Sequence, residues 1–213
     1  MYHPDLSSIG SVLLVGAHAD DIEIGCGGAL LQLIDSNPNI RVYWLVMSAN
    51  GVRLKEAEAS AQKFLATAKH ANVRCESFTD TLLFDSHKEI KALFSELRGE
   101  FNPDLVITHR LEDRHQDHRL LGEVCWNTFR DNLILEYEIP KYEGDLGQPN
   151  LYFRLEPETV KNKVDYLTQC FTSQFEKNWF SRETFESLMR IRGIECNAKS
   201  GYAEAFYCRK IVV

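Results

Sequence analysis

At 213 residues, 44% of them hydrophobic, the chain is long enough to bury a full core, and one domain spanning residues 1–213 fits that length better than two very small ones. Its formal net charge of −7, with no basic run, excludes a protein built to grip a phosphate backbone, so nucleic acid is not expected as a partner. No apolar run approaches the roughly 20 residues of a membrane span, and Met1–Asp5 lacks the basic start and apolar core of a signal peptide; the chain reads as cytoplasmic.

Six cysteines, Cys26, Cys75, Cys125, Cys170, Cys196 and Cys208, are scattered without the short pairing of a zinc knuckle or redox motif, and are read as reduced and mostly structural. Ser11–Ala17 is the first predicted strand. Gly25, Gly27 and Gly28 then offer a tight turn into a helix at about Gly28–Asp35. Ile40–Ser48, β-branched and aromatic on both faces, predicts a second strand, and Leu54 to about Ala71 an amphipathic helix with Ala57, Ala61, Phe64 and Leu65 inward. Val73–Phe78 and Thr81–Phe84 are short strand-like pieces, and His87–Arg98 returns to helical period.

Asn102-Pro103 breaks the chain before a buried strand, Asp104–His109. Leu120 to about Phe129 reads as helix, Leu133–Ile139 as strand, Leu151–Leu155 as a brief strand, Glu158–Cys170 and Arg182–Ile191 as helices, and Phe206–Val213 as a last strand-like piece. Such alternation implies βαβ units with right-handed crossovers. The expected fold is therefore an α/β, three-layer αβα Rossmann-like domain with a mainly parallel sheet.

Two reactive clusters stand out, each after a buried strand. The first is His18-Ala19-Asp20-Asp21-Ile22-Glu23, where spacing aims His18 and Asp21 at one point while Asp20 faces elsewhere. The second is His115-Gln116-Asp117-His118, at the start of a helix. Strand ends of a parallel sheet share one edge, so the two clusters are expected to converge. Two histidines and a carboxylate are a ligand set for catalytic zinc that leaves a position for water. Water so held loses its proton near neutral pH, and a carboxylate outside the ligand set can take that proton, a role that suits Asp20. A second, protonated histidine there can stabilise an oxyanion or protonate a departing amine. Either cluster alone is readily explained by turn chemistry; the two together favour function. His3, His70 and His87 lack such a context and are read as structural. A dinucleotide site is excluded, because Gly25-Cys26-Gly27-Gly28 lacks the G-x-G-x-x-G spacing and Asp20, Asp21 and Glu23 would repel a pyrophosphate.

Ala17-His18-Ala19-Asp20-Asp21-Ile22-Glu23-Ile24-Gly25-Cys26-Gly27-Gly28 and His115-Gln116-Asp117-His118 together resemble the two hallmark segments of the LmbE-like, or PIG-L, family of zinc-dependent N-deacetylases. The resemblance implies a hydrolase that removes the acetyl group from an N-acetylglucosamine-type amino sugar conjugate, a small-molecule substrate. It further implies His18, Asp21 and His118 as ligands of Zn2+, Asp20 as general base, and His115 as acid or electrostatic partner oriented by Asp117. Arg53 and Glu56 resemble an Arg-x-x-Glu pattern near the family's sugar site, with Arg53 on substrate hydroxyls. Gly201–Phe206 looks like the family's closing segment. Two departures are Ala19, where the family often has proline, and Asp113, where some members place an oxyanion-assisting tyrosine. The loop Pro140–Asn150 and Arg190-Ile191-Arg192-Gly193 are expected to rim the pocket. A non-catalytic metal or sugar-binding domain and a hydrolase of another small amide are the alternative functions. Other divalent metals suit the same ligands, and a homo-oligomer is left open because family members often assemble.

Overall fold

The computed structural model describes residues 8–212; Met1–Asp5 with His3, and Val213, lie outside the described residues. In chain order the regular elements are β1 (Ser11–His18), α1 (Asp21–Ser36), β2 (Arg41–Ser48), α2 (Val52–Phe64), β3 (His70–Cys75), α3 (His87–Glu100), β4 (Leu105–His109), α4 (Gln116–Thr128), β5 (Leu133–Tyr137), β6 (Leu151–Arg154), α5 (Pro157–Cys170), α6 (Arg182–Glu195) and β7 (Ala203–Cys208). They build a seven-stranded sheet in the order β3-β2-β1-β4-β5-β7-β6. β1 to β5 pair in parallel, while β7 runs antiparallel to both β5 and β6. The α/β class and mainly parallel sheet follow the sequence reading; the reversed strand β7, inserted between β5 and the edge strand β6, is an addition to it.

Period-two alternation in the strands divides the core between two faces. Val12, Leu14, Trp44 and Ile107 point to the face covered by α1, α2, α5 and α6. Leu13, Val15, Leu45 and Val106 point to the other, where Ile90, Leu93 and Phe94 of α3 and Leu121, Val124 and Cys125 of α4 complete a second cluster. All six cysteines are free thiols. Among the described residues no helix is long and apolar enough to cross a membrane.

Several boundaries differ from expectation. α1 begins at Asp21 rather than near Gly28, so Gly25, Gly27 and Gly28 are not a turn but part of the helix. They are glycines because of what lies against them. A Cβ on Gly25 would enter the Tyr137 ring, one on Gly27 would lie 2.6 Å from Phe64, and one on Gly28 would lie 2.8 Å from Leu155 and 2.9 Å from Glu204 Oε1. Glu204 uses that closeness: its carboxylate accepts the N–H groups of Gly28 (2.8 Å) and Ala29 (2.7 Å) and pairs with Lys163 at 2.6 Å, and Lys163 also donates to the Ile24 carbonyl. α2 stops at Phe64, before the expected Ala71, because β3 starts pairing with β2 at His70 opposite Arg41. Thr81–Phe84 is not strand-like: Thr81 has φ 66° and a 3-10 turn follows at Leu83–Ser86. α4 starts at Gln116, ahead of the expected Leu120, since the His115 ring caps it by accepting the Asp117 N–H.

Candidate metal centre

The strand order reverses direction between β1 and β4, the crevice where open α/β sheets bind ligands. β1 ends in His18, and β4 ends in His109, from which the chain loops through Asp113 into α4 with His115 and His118. Adjacent parallel strands thus deliver both sequence clusters to one point.

Three atoms meet there. His18 Nδ1 lies 3.3 Å from Asp21 Oδ2, His118 Nε2 lies 3.2 Å from His18 Nδ1, and His118 Nε2 lies 3.5 Å from Asp21 Oδ2. A tetrahedral ion with ligand bonds of about 2.0–2.1 Å holds its ligand atoms roughly 3.3 Å apart, so this triangle has the dimensions of one face of such a site. The remaining ring nitrogens are both fixed by carboxylates. His18 Nε2 faces Asp80 Oδ1 at 2.9 Å and Asp117 Oδ2 at 3.2 Å. His118 Nδ1 faces Asp113 Oδ2 at 3.0 Å. Carboxylates on the outer nitrogens favour N–H donors there, the arrangement typical of metal-ligating histidines. Although burial opposes it, the bonds to Asp117 and Asp21 raise the His18 pKa well above its ordinary value, so an ion entering the site displaces a proton from His18.

Among the described residues three other sets are close enough to share an ion: His18, His115 and His118; Asp21, His109 and His118; and His18, Asp80 and Asp117. His109, fully buried, accepts the Ala17 N–H on Nε2 at 2.9 Å, which uses that lone pair, and stacks on His118 with ring centroids 3.9 Å apart. The Nδ1 lone pair of His115 is likewise taken by the Asp117 N–H, at 3.3 Å. Burial, with His109 alongside, pushes His118 down to about 4, the neutral form a ligand needs. Although burial opposes it, His118 and His109 hold the Asp21 carboxyl well below the usual carboxylate range.

Asp20 sits at φ 137°, outside the usual range for an L-residue, at the N-cap of α1, yet its side chain makes no capping bond. It turns into the cleft, 4% exposed, where burial pushes its carboxyl up to about 6 against the opposing Arg53 charge. Arg53 Nη2 pairs with Asp20 Oδ1 at 2.9 Å and donates to the Ala19 carbonyl, while Nη1 pairs with Glu56 at 3.0 Å. Arg53 lines the cleft, but its donors are turned to Asp20 and Glu56 rather than left free for substrate hydroxyls. Glu56 in turn holds the N–H and hydroxyl of Ser173, at 2.8 and 2.7 Å.

His115 is half-buried beside both other histidines, with ring centroids 4.9 Å from His18 and 4.5 Å from His118. Asp117 meets it only through the backbone N–H. The Asp117 carboxylate is committed to His18 Nε2 and to the N–H groups of Thr81 (2.8 Å) and Leu83 (3.3 Å), so any hold of Asp117 on His115 runs through the main chain. The cleft over these residues is walled by Asn50, Lys141, Tyr142, Glu143, Gln174 and Trp179, so the start of the Pro140–Asn150 loop does rim it. Arg190-Ile191-Arg192-Gly193 does not. Arg192 is buried on Glu138 at 2.7 Å, Arg190 donates to the Gly201 carbonyl, and a Cβ on Gly193 would collide with the Gly201 backbone.

Asp80, Asp113 and Lys141 had no assigned role in the sequence reading. Asp113 stands out in the sequence only as a departure from the family pattern; its spacing of five from His118, on a loop entering a helix, is the signal that marks it. Asp80 and Lys141 belong to loops that only the folded sheet brings near.

Residues 13–129, more than half of the chain and including both clusters, match the PIG-L family, described as GlcNAc-PI de-N-acetylase. A protein named uncharacterized deacetylase YaiS from Escherichia coli (strain K12) is 30% identical over 139 residues, which cover 61% of this chain and 74% of that protein. Among solved structures, N,N'-diacetylchitobiose deacetylase from Pyrococcus horikoshii is similar with a TM-score of 0.72 at 22% identity, over 95% of this chain and 86% of that one. GalB, the 4-carboxy-2-hydroxymuconate hydratase of Pseudomonas putida KT2440, is similar with a TM-score of 0.77 at 17% identity, over 96% and 98% of the two chains. At such identities these structures speak for the fold alone, and the fold is evidently compatible with two different reactions.

Proposed function

The chain belongs to the PIG-L family, and on that footing we propose that it is a metal-dependent N-deacetylase that removes the acetyl group from an N-acetylglucosamine-type conjugate. The observation that carries this reading is the triangle of His18 Nδ1, Asp21 Oδ2 and His118 Nε2 with carboxylates on both outer ring nitrogens. These residues would hold the ion. An imidazole and carboxylate set suits zinc and equally other divalent transition metals. Bound there, such an ion supplies Lewis acidity toward the amide carbonyl and lowers the pKa of water toward neutrality.

The other roles fall to groups around the triangle. Asp20 is the general base: it adjoins Asp21, faces the cleft, and its carboxyl, pushed up to about 6, is poised near the operating range for taking a proton from water. Arg53 positions it, pinning the carboxylate and the preceding carbonyl together, and Glu56 and Ser173 pin Arg53. Nδ1 of His115 caps the helix, which leaves Nε2 as the nitrogen available to the departing amine; burial and the neighbouring His18 lower the pKa of this ring, so it delivers a proton to the amine only after receiving one during the reaction. Asp117 orients His18. Tyr142 and Trp179 give the cleft broad amphipathic walls of the kind that pack on a sugar ring while Asn50 and Gln174 meet hydroxyls.

The family description, GlcNAc-PI de-N-acetylase, and a relative named a deacetylase support an acetylated amine over other small amides. A non-catalytic binding domain has no need of Asp20 held buried at φ 137° beside the ligand triangle. Acetate release from a panel of N-acetylglucosamine conjugates tests the proposal. Turnover that stops with a chelator and returns with Zn2+ is expected. Turnover indifferent to the chelator, or retained in Asp20→Ala, contradicts the mechanism; ion uptake with no release from any acetylated conjugate contradicts the activity.

A further inference from the structure

We propose that Lys141 is a positioning residue for His118, acting through Asp113 and tying the loop at the cleft wall to the ion site; this rests on the metal-centre reading above. Lys141 Nζ donates to Asp113 Oδ2 at 2.9 Å, to Asp145 Oδ1 at 2.8 Å and to the Ile139 carbonyl at 3.3 Å. An ammonium has three protons, and all three are accounted for. Although it lines the cleft, its side chain is only 9% exposed, and it has no donor left for a bound molecule. Its influence therefore passes through its partners.

Asp113 is where that influence lands. Oδ2, the oxygen that meets Lys141, also accepts from His118 Nδ1 at 3.0 Å, while Oδ1 accepts the His115 N–H at 2.8 Å. One oxygen thus sits between an ammonium and an imidazole, and the carboxylate is buried, at 3% exposure. The ammonium fixes where that oxygen stands, and the oxygen fixes the plane of the His118 ring and the aim of Nε2. Without Lys141 the shared oxygen loses one of its two fixed partners and the buried carboxylate its cation, so the carboxylate is free to turn and draw the acceptor away from His118 Nδ1. The neighbours of Lys141 in sequence, Tyr142 and Glu143, line the cleft, so the segment that meets substrate also carries the clamp on a metal ligand.

Zn2+ titration of ion-free protein against a competing chelator, with absorption of the Co2+-loaded form, tests this without any assay of deacetylation. Lys141→Met is expected to weaken Zn2+ binding about tenfold, the low end of losses at groups that orient metal ligands, and to shift the Co2+ bands. Lys141→Arg should restore most of the affinity. Because Lys141 acts through Asp113, Lys141→Met combined with Asp113→Asn should weaken binding no more than Asp113→Asn alone. Wild-type affinity in Lys141→Met, or losses that multiply in the double variant, overturns the proposal. If Lys141→Met does not fold, Asp145→Asn, which frees the far side of the ammonium, is expected to weaken binding in the same direction, and unchanged affinity there overturns it equally. Absence of Zn2+ uptake by the wild type overturns the metal-centre reading and the clamp with it, whereas uptake without deacetylation leaves the clamp intact and removes only the proposed activity.

Discussion

Asp20 and its neighbours show how much a short motif can specify. Asp20 and Asp21 are consecutive, yet burial pushes one carboxyl up to about 6 while the surrounding histidines hold the other well below its usual range. The difference follows from direction: Asp21 turns to His118 and His109, Asp20 to Arg53. Asp20→Asn should therefore lower kcat roughly 10²- to 10⁴-fold, the usual contribution of a general base, with Zn2+ stoichiometry unchanged, as read by acetate release and metal analysis on the same sample. Asp117→Asn should act differently, weakening Zn2+ binding about 10- to 100-fold through His18, measured by chelator competition. The convergence of His18, Asp21 and His118 was legible in the sequence because each follows a buried strand. The partners of Asp117 and Arg53 were not, because they depend on which way a side chain leaves a loop, and spacing along the chain carries no such information.

At the level of elements, the glycines of α1 are the instructive case. Read locally, Gly25-Cys26-Gly27-Gly28 signals a turn; in the fold it is the part of a helix on which three neighbouring elements close, with Tyr137 from β5, Phe64 from α2 and Glu204 from β7. Helix propensity alone predicts that Gly→Ala gains about 0.5–1 kcal/mol in a helix interior. Here Gly25→Ala should instead lose about 1–3 kcal/mol by overpacking against Tyr137, seen as a lower urea midpoint. Lys163 of α5 and Glu204 of β7 pair at 2.6 Å, both side chains 3% exposed, and each also bonds the α1 backbone, Lys163 at the Ile24 carbonyl and Glu204 at the Gly28 and Ala29 N–H groups. Lys163→Met leaves that carboxylate buried without its cation and should lower unfolding stability by about 3–5 kcal/mol in urea titrations. Nothing local announces this pair, since a lone Lys in an amphipathic helix ordinarily faces water. β1, β2, β4 and β5 lie within two residues of their expected limits, because two-sided burial leaves continuous apolar runs that need no tertiary information. By contrast, β3 and β7 start three residues ahead of the expected Val73–Phe78 and Phe206–Val213, and Thr81–Phe84 is no strand.

Over the whole molecule, function follows from strand order. With β1 and β4 adjacent and parallel, residues nearly a hundred positions apart in sequence share one crevice, and the first turn of α2 and the loops after β3 and β5 supply Arg53, Asp80 and Lys141 around it. The alternation of strands and helices implies a parallel sheet whose strand ends share one edge but not the order of its strands, and the antiparallel β7 that brings Glu204 under α1 leaves no mark beyond a short apolar stretch. The same architecture serves a deacetylase and a hydratase among the similar structures, so the reaction is decided by what the crevice holds. Anomalous diffraction from crystals of the Zn2+-loaded protein reads that directly. One peak within about 2.0–2.2 Å of His18 Nδ1, Asp21 Oδ2 and His118 Nε2 is expected. A peak on His18 Nε2 beside Asp80 and Asp117, or a stoichiometric ion bound away from these three residues, would contradict the assignment of the metal centre.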